Sequence, residues 1–191
     1  MRDPQEHAPP RLILLRGLPS AGKSTLARSL TRESGTWIEF DLYFHTEVGS
    51  DPDRYDWSNR LLPDARAWNI DRLRQAVDRR EDPIVLDDDN GLGRTTGASV
   101  AYAVEHGYEV EFREPDTPWW RLVRQLLQNK DANAEALDRW AYKLAVLNRG
   151  THRVSASSMR RRMDRWRDEI TVEEILARQE ARVRTSSSPT I

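Results

Sequence analysis

Residues 17–25 constrain this chain more than any other part of its sequence. They read G-L-P-S-A-G-K-S-T and fit the pattern G-x-x-x-x-G-K-[ST] at every specified position. The apolar run at 12–15 precedes the pattern, and a helical stretch at about 23–30 follows it. A strand, a glycine-rich turn and a helix in this order predict a loop whose backbone N–H groups surround phosphate oxygens.

The motif assigns a role to each of its residues in binding a nucleoside triphosphate. Lys23 is expected to bridge the β- and γ-phosphates of ATP, and the Ser24 hydroxyl is expected to ligate Mg²⁺. Glycines let the backbone approach phosphates closely, and the helix N-terminus adds a favourable dipole. The predicted nucleotide-binding residues are Gly17, Leu18, Pro19, Ser20, Ala21, Gly22, Lys23, Ser24 and Thr25.

Strand-like and helix-like segments alternate through the rest of the chain. Strands are predicted at 12–15, 36–40, 84–86 and 108–113, and helices at 23–30, 65–77, 95–106 and throughout 118–183. The strand at 108–113 alternates polar and apolar residues, which is typical of a sheet edge with one exposed face. The alternation predicts an α/β fold of the P-loop NTPase type, with a mainly parallel sheet of about four to five strands flanked by helices.

Acidic residues follow two of the predicted strands, at the end where parallel sheets bind ligands. Asp41 is the best candidate for a general base that takes the proton of an attacking hydroxyl, and a helix N-cap or a solvated loop residue is the alternative. The three aspartates at 87–89 are typical of a Walker B element that reaches Mg²⁺, with a plain acidic turn as the alternative. We expect the loop, Asp41 and residues 87–90 to converge.

The stretch 149–167 contains seven arginines and a single acid, Asp164. Arg149 and Arg153 precede a predicted helix, where a lid would place an arginine over a triphosphate. For residues 160–167, a solvated helix face is the alternative. An apolar face for packing is predicted from Met159, Met163 and Trp166. Trp68 and Trp140 are predicted to pack inside, whereas Trp119 and Trp120 are candidates to flank a base or ribose.

Together these segments resemble the P-loop 5′-kinase domain of phage polynucleotide kinase and its relatives, which include the P-loop domain of animal ubiquitin-ligase-binding proteins. The resemblance runs through most of residues 11–167. Besides the phosphate loop, it rests on Asp41-Leu42-Tyr43-Phe44, Ala65-Arg66-Ala67-Trp68-Asn69 with Arg72 and Ala76, Asp88-Asp89-Asn90, Gly107-Tyr108, and Glu114-Pro115-Asp116-Thr117 with Trp119 or Trp120.

The resemblance implies that Asp41 is the general base, that Asp88 lies at the acceptor site, and that a lid arginine stabilises the transferring phosphoryl group. Phe44 stands where the phage enzyme has an arginine that binds an acceptor phosphate, and Arg66 stands where relatives often have histidine. The lid contains about twenty extra residues, at about 126–147. Arg149 is therefore the first choice for the lid arginine, with Arg153 and Arg124 as alternatives.

These observations predict an ATP-dependent phosphotransferase whose favoured acceptor is the 5′-hydroxyl end of a polynucleotide. A small-molecule kinase for a nucleoside, nucleotide-sugar or antibiotic is one alternative, and a nucleotide-gated binding module with little catalysis is another. The predicted catalytic residues are Lys23, Asp41 and Arg149. The predicted acceptor-binding residues are Asp41, Asp88 and Asn90, and the predicted Mg²⁺ ligands are Ser24 and Asp87, or Asp88 in its place.

The composition is consistent with a single globular domain. The 191 residues carry 30 Lys and Arg against 31 Asp and Glu, so the net charge of -1 neither favours nor excludes a nucleic-acid partner. The lack of cysteine excludes disulfides, a thiol nucleophile and Cys-ligated zinc, and no apolar run approaches the roughly 20 residues of a membrane span. We predict a flexible N-terminus at 1–10, a P-loop kinase domain at 11–183 with its lid at about 118–167, a disordered tail at 184–191, and a cytoplasmic location.

Overall fold

Four strands and eight helices make up the part of the chain that the computed structural model describes, which is residues 8–46, 59–87, 92–149 and 154–186. The strands are β1 (Arg11–Leu15), β2 (Thr36–Glu39), β3 (Ile84–Asp87) and β4 (Glu109–Arg113). The helices are α1 (Lys23–Leu30), α2 (Leu42–Thr46), α3 (Leu62–Asp78), α4 (Arg94–Glu105), α5 (Pro118–Leu127), α6 (Ala134–Leu147), α7 (Ala156–Asp164) and α8 (Val172–Ser186), with a short 3-10 helix at Asn59–Leu61.

The strands form one parallel sheet in the order β2-β3-β1-β4. β1 is central, and its residues Leu12, Ile13, Leu14 and Leu15 are at most 2% exposed. A strand covered on both faces needs a continuous apolar run, which is why the sequence showed β1 so clearly. β4 lies at the edge and is only partly buried, as its alternating sequence predicted. The predicted fold class is confirmed.

Helices cover both faces of this sheet. On one face, side chains of β1, β2 and β3 pack with Leu73 of α3, Val100 of α4 and Ile175 of α8 in one buried cluster. On the other face, Ile13, Leu15 and Val85 pack with Ala27 of α1. Because α1 lies against the sheet directly after β1, the connecting loop is fixed at both ends above the carboxyl edge of the sheet.

The region after β4 has a core of its own, made by α5, α6 and α7. The predicted apolar face is confirmed, because Met159 and Met163 are fully buried and Trp166 is 2% exposed. They pack with Trp120 of α5, and the same cluster includes residues of the phosphate loop. This region, residues 118–167, is called the lid below.

The structure divides the stretch predicted as helical throughout, 118–183, into four helices. Side-chain hydrogen bonds lie at some of the breaks: the Asn129 carboxamide oxygen accepts the Ala132 N–H at 3.2 Å between α5 and α6, and the Ser155 hydroxyl accepts the Ser158 N–H at 3.2 Å at the start of α7. Such local bonds compete with helix continuation. α8 also extends to Ser186, into the tail predicted to be disordered. α2 begins at Leu42, directly after Asp41, where the alternative of a helix N-cap at Asp41 required a helix to start. Among the described residues, no helix is both long and apolar enough to cross a membrane.

Candidate active site

The loop between β1 and α1 has the tight backbone shape that its sequence motif predicts. Gly22 precedes α1 with φ 105° and ψ 15°, a left-handed conformation that a side chain disfavours. A Cβ atom at Gly22 would also lie 3.0 Å from Cγ2 of Thr117, so a side chain has no room there. Ser20 has φ 67°, which is uncommon for a residue other than glycine.

The ammonium group of Lys23 lies inside this loop. Its Nζ donates to the carbonyl oxygens of Gly17 at 3.0 Å and of Leu18 at 3.4 Å. The same Nζ is 3.8 Å from Oδ1 of Asp87, and the Lys23 side chain is only 10% exposed. The positive charge is therefore held between the loop and the end of β3, where it would attract the phosphates of a nucleotide.

Ser24 and Asp87 meet at the same place. The Ser24 hydroxyl donates to Oδ2 of Asp87 at 3.3 Å, and the parallel register pairs Asp87 with Leu15, just before the loop. Hydroxyl and carboxylate oxygens suit Mg²⁺, which usually keeps several waters and completes its shell with substrate phosphates. The described residues contain no group of three or more His, Cys, Asp or Glu side chains able to hold a metal. The oxygens of Ser24 and Asp87 suit a Mg²⁺ ion that binds together with a nucleotide.

Asp41 follows β2, and a second carboxylate, Glu39, ends that strand. Glu39 pairs in register with Asp87 on β3, so these acidic side chains lie near one another. The pKa of Glu39 is raised to about 7, mainly by burial and also by the negative charges of Asp87 and Asp41, while the positive charges of Arg28 and Lys23 oppose the shift. Glu39 was not predicted as a site residue, although it is an acid near the end of the strand predicted at 36–40.

Two side chains of α3 hold the chain next to Asp41. The buried Asn69 donates from Nδ2 to the carbonyl oxygens of Ala65 at 2.9 Å and of Phe40 at 3.4 Å. Arg72 donates from Nη2 to the Trp37 carbonyl at 3.3 Å, and burial lowers its pKa while the charge of Glu39 partly restores it. Both residues belong to the stretch of α3 that carried the family resemblance, and both fix the path of the backbone into Asp41.

Three predicted site residues lie outside the described residues: Asp88, Asn90 and the alternative lid residue Arg153. The described chain stops at Asp87 on β3 and resumes at Leu92, shortly before α4. The predicted acceptor-side roles of Asp88 and Asn90 thus stay predictions.

Arg149 lies at the end of α6, next to a contact between the lid and the phosphate loop. Asn148 is 1% exposed, and its Nδ2 donates to Oγ of Ser20 at 3.4 Å. Its Oδ1 accepts the N–H of Val154 at 2.9 Å. Arg149 is exposed, so its guanidinium lies at the surface one residue away from the loop contact.

Arg124, the other described candidate for the lid arginine, is engaged in ion pairs on α5. Its guanidinium bonds to Glu114 at 2.8 Å and to Asp168, and it lies over the Trp166 ring at 5.3 Å. Arg16, immediately before the loop, joins the same group through Glu114 at 3.7 Å and the carbonyl of Asp168 at 3.0 Å. These contacts give Arg124 a structural role, and the assignment of Arg149 as the lid arginine stays a prediction.

The arginine-rich stretch is partly neutralised by acids from neighbouring helices. Arg160 pairs with Asp138 at 2.8 Å and also with Asp164, and Arg167 pairs with Glu174. Arg161 and Arg165 are exposed. The surface available to an anionic ligand is therefore smaller than the seven arginines of the sequence suggest.

The two adjacent tryptophans at the start of α5 have different surroundings. Trp120 is 2% exposed and packs edge to face on Trp166, with ring centroids 5.1 Å apart, so its ring is not open to a base. Trp119 is 38% exposed, and its indole N–H donates to the Ser20 carbonyl in the phosphate loop at 3.0 Å. Of the two, only Trp119 lies beside the loop and partly open to solvent.

Sequence comparison tests the family resemblance that the motifs predicted. Residues 12–147 match the family described as AAA domain, and this stretch contains the phosphate loop, Asp41 and Asp87. The chain belongs to the AAA domain family. The P-loop character of the family agrees with the geometry of Lys23 and Ser24.

A curated relative of this AAA domain chain is human NEDD4-binding protein 2, 34% identical over 130 residues. That alignment covers 67% of this chain but only 7% of the human protein, so the chain spans a small part of its relative.

Two solved structures also resemble the chain. A structure titled as a Pnkp1/Rnl/Hen1 complex matches 66% of this chain and 41% of its own, with 22% identity and a TM-score of 0.48. A structure titled as the Pnkp1/Rnl/Hen1 RNA repair complex matches 95% of this chain and 48% of its own, with 17% identity and a TM-score of 0.47. The chain thus spans less than half of either solved chain.

Proposed function

We propose that this AAA domain protein binds ATP with Mg²⁺ and transfers the γ-phosphoryl group to a hydroxyl. One observation carries the proposal: Lys23 and Ser24 of the phosphate loop both contact the carboxylate of Asp87, at 3.8 Å and 3.3 Å. A cation, a hydroxyl and a strand-end carboxylate in this arrangement are the parts that P-loop enzymes use to hold a triphosphate and its metal. Asp41 follows β2, the strand that pairs with β3, at the same edge of the sheet, and this position supports transfer rather than binding alone.

In this proposal each loop residue has a distinct role. Backbone N–H groups of the phosphate loop bind the phosphate oxygens, except at Pro19, which has none, and at Ala21, whose N–H donates to the Leu18 carbonyl. Lys23 exchanges its loop carbonyl partners for the β- and γ-phosphates. Ser24 is a direct Mg²⁺ ligand, and Asp87 reaches the ion directly or through water. The bound Mg²⁺ supplies neutralisation of the charge that develops on the phosphate oxygens.

The transfer step needs a proton acceptor and a stabiliser of negative charge. Asp41 accepts the proton of the acceptor hydroxyl while a bond forms between that oxygen and the γ-phosphorus. The bond from the γ-phosphorus to the bridging oxygen breaks, and ADP leaves with the electron pair. Arg149 reaches over from the end of α6 to stabilise the charge on the transferring group.

The favoured acceptor is the 5′-hydroxyl end of a polynucleotide. The family resemblance supports it, and the exposed arginines Arg161 and Arg165 supply positive charge on the lid for a nucleic-acid backbone. Asp88 and Asn90 are proposed to bind the terminal nucleotide. We also propose that residues 11–183 form a single kinase domain and that residues 118–167, approximately, are its lid.

Transfer of labelled γ-phosphate tests the proposal. We expect label from [γ-³²P]ATP on 5′-hydroxyl RNA or DNA, no label on 5′-phosphorylated oligonucleotides, and a fall of at least roughly 100-fold in Asp41→Asn. Asp131→Asn, which changes an exposed aspartate between α5 and α6, serves as the matched control and should transfer normally.

Other outcomes of the same assay favour the alternatives. Label on nucleosides alone would identify a small-molecule kinase. Binding of ATP without label on any acceptor would favour a nucleotide-gated module, and transfer that survives Asp41→Asn would remove Asp41 as the base.

A further inference from the structure

The phosphate loop is held from its outer side by the start of α5. Thr117 donates from Oγ1 to the carbonyl oxygen of Ala21 at 3.0 Å. Trp119 donates from Nε1 to the carbonyl oxygen of Ser20 at 3.0 Å. These partners lie 96 and 99 positions apart in the sequence, so the two bonds join the lid directly to the loop.

Each of these bonds also fixes the N–H of the same peptide group. A trans peptide is planar, and its C=O and N–H point in opposite directions. By holding the Ala21 carbonyl, Thr117 turns the N–H of Gly22 away from α5. This N–H belongs to the left-handed glycine at the start of α1, where the helix dipole favours an anion.

The neighbouring peptide, between Ser20 and Ala21, is held at both ends. Trp119 binds its carbonyl oxygen, and its N–H donates to the Leu18 carbonyl at 3.0 Å. Ser20 needs this support because its φ of 67° is costly for a residue with a side chain. Such a conformation persists only where the surroundings determine it strongly.

We propose that Thr117 and Trp119 are positioning residues for the nucleotide. They keep two carbonyl oxygens of the loop turned outward and so leave the N–H of Gly22 for a phosphate oxygen. Without them, the peptides can rotate and turn a carbonyl oxygen toward the phosphates, which it repels. The inference rests on the proposed function only in that the loop binds a nucleoside triphosphate.

The two side chains allow variants that separate a hydrogen bond from packing. Trp119→Phe keeps an aromatic ring and removes the indole N–H. Thr117→Val keeps the side-chain volume and removes the hydroxyl, but it also removes the N-cap of α5, because that hydroxyl accepts the Trp120 N–H at 3.4 Å. Thr117→Ser retains both bonds and reports on the methyl group alone.

Calorimetric titration of the full chain with ATP and Mg²⁺ tests the proposal. We expect the Kd to rise roughly 3- to 10-fold in Thr117→Val and in Trp119→Phe, which corresponds to the usual effect of one lost hydrogen bond. Thr117→Ser should bind within about twofold of the unaltered chain. Leu122→Ala, which changes a 45% exposed residue of α5, is the matched control and should also bind normally.

Unaltered ATP affinity in both Thr117→Val and Trp119→Phe would overturn the inference. A loss in Thr117→Ser as large as that in Thr117→Val would also overturn it, because the methyl group and not the hydroxyl would then be involved. These results differ from a failure of the proposed function, which would show as ATP binding without transfer to a hydroxyl. Failure of the unaltered chain to bind ATP would overturn both.

Discussion

The carboxyl edge of the sheet and the lid are built in different ways. At the edge, Lys23, Ser24 and Asp87 come from a loop and a strand end, and the strand register brings them together. In the lid, Trp120 and Trp166 pack in a buried cluster, and ion pairs between residues far apart in the sequence, Arg124 with Asp168 and Arg16 with Glu114, lie beside it. The side chains of Lys23, Ser24 and Asp87 belong to none of the buried apolar clusters, whereas the lid side chains form one together with Leu18 and Ala21 of the loop.

The difference predicts which property a substitution in each region should change. Replacing a polar side chain at the edge removes a ligand contact but little packing, so it should change binding and transfer. Replacing a large lid side chain leaves a cavity, so it should change the free energy of unfolding. Three substitutions test this division.

Trp166→Ala should have the largest effect on stability. The guanidinium groups of Arg16 and Arg124 lie over the Trp166 ring, 4.8 Å and 5.3 Å from its centroid, and Trp120 packs with it in a T-shaped pair. Removing the ring should lower the free energy of unfolding by about 3–5 kcal/mol, as measured by urea denaturation. Tyr142→Ala, at a 60% exposed position of α6, is the control and should change it by less than about 0.5 kcal/mol. A decrease of less than about 1 kcal/mol in the free energy of unfolding of Trp166→Ala would contradict the division between the lid and the edge of the sheet.

Lys23→Ala should act mainly on transfer. The ammonium is the cation nearest the proposed phosphate site, and its hydrogen bonds go to carbonyls of its own loop. We expect kcat/KM for ATP to fall about 100- to 1000-fold, and the free energy of unfolding to fall by less than in Trp166→Ala although the buried carboxylate of Asp87 loses a partner. Lys143→Ala, which removes an exposed lysine over the Trp140 ring, is the control. Loss of folding in Lys23→Ala would show that a polar side chain at the edge of the sheet is needed for folding, as the lid core is.

Glu39→Gln should have a smaller effect that depends on pH. The native pKa of Glu39 is raised from 4.5 to about 7, so between these values the native state binds more protons than the unfolded state. The stabilisation is therefore full below about pH 4.5 and is lost as pH rises to about 7 and above.

Relative to Glu39→Gln, the unaltered chain should lose roughly 1 to 2 kcal/mol between pH 5 and 8, since partial exposure weakens the effect. Urea denaturation without Mg²⁺ measures it, with Glu169→Gln at an exposed position as the control. Parallel pH curves for the unaltered chain and Glu39→Gln would contradict the raised pKa.

The features that the sequence predicted correctly are those encoded by neighbouring residues. The phosphate loop, the run at 12–15 and the apolar spacing of Met159, Met163 and Trp166 each depend on short intervals, and the structure has them as expected. The parallel sheet followed from the alternation of strands and helices.

The features that the sequence did not predict depend on distant residues. Glu39 becomes a site residue only because β2 pairs with β3 in a register that sets it beside Asp87. The engagement of Arg124 depends on Glu114 and on Asp168, which follows α7. The contacts of Thr117 and Trp119 with the loop likewise join residues far apart in the chain. No local pattern carries such pairings, since only the folded chain brings the partners together.

The side-chain amide of Asn148 makes two hydrogen bonds, which limits the substitutions that positions 20 and 148 can accept. One end of that amide contacts the Ser20 hydroxyl, and the other end accepts the N–H of Val154. Because Asn148 is buried, a larger residue at position 20 would displace the amide and disturb the lid at the same time. Substitutions at positions 20 and 148 are therefore expected to occur together in related lineages, with each change tolerated mainly when the other compensates for it.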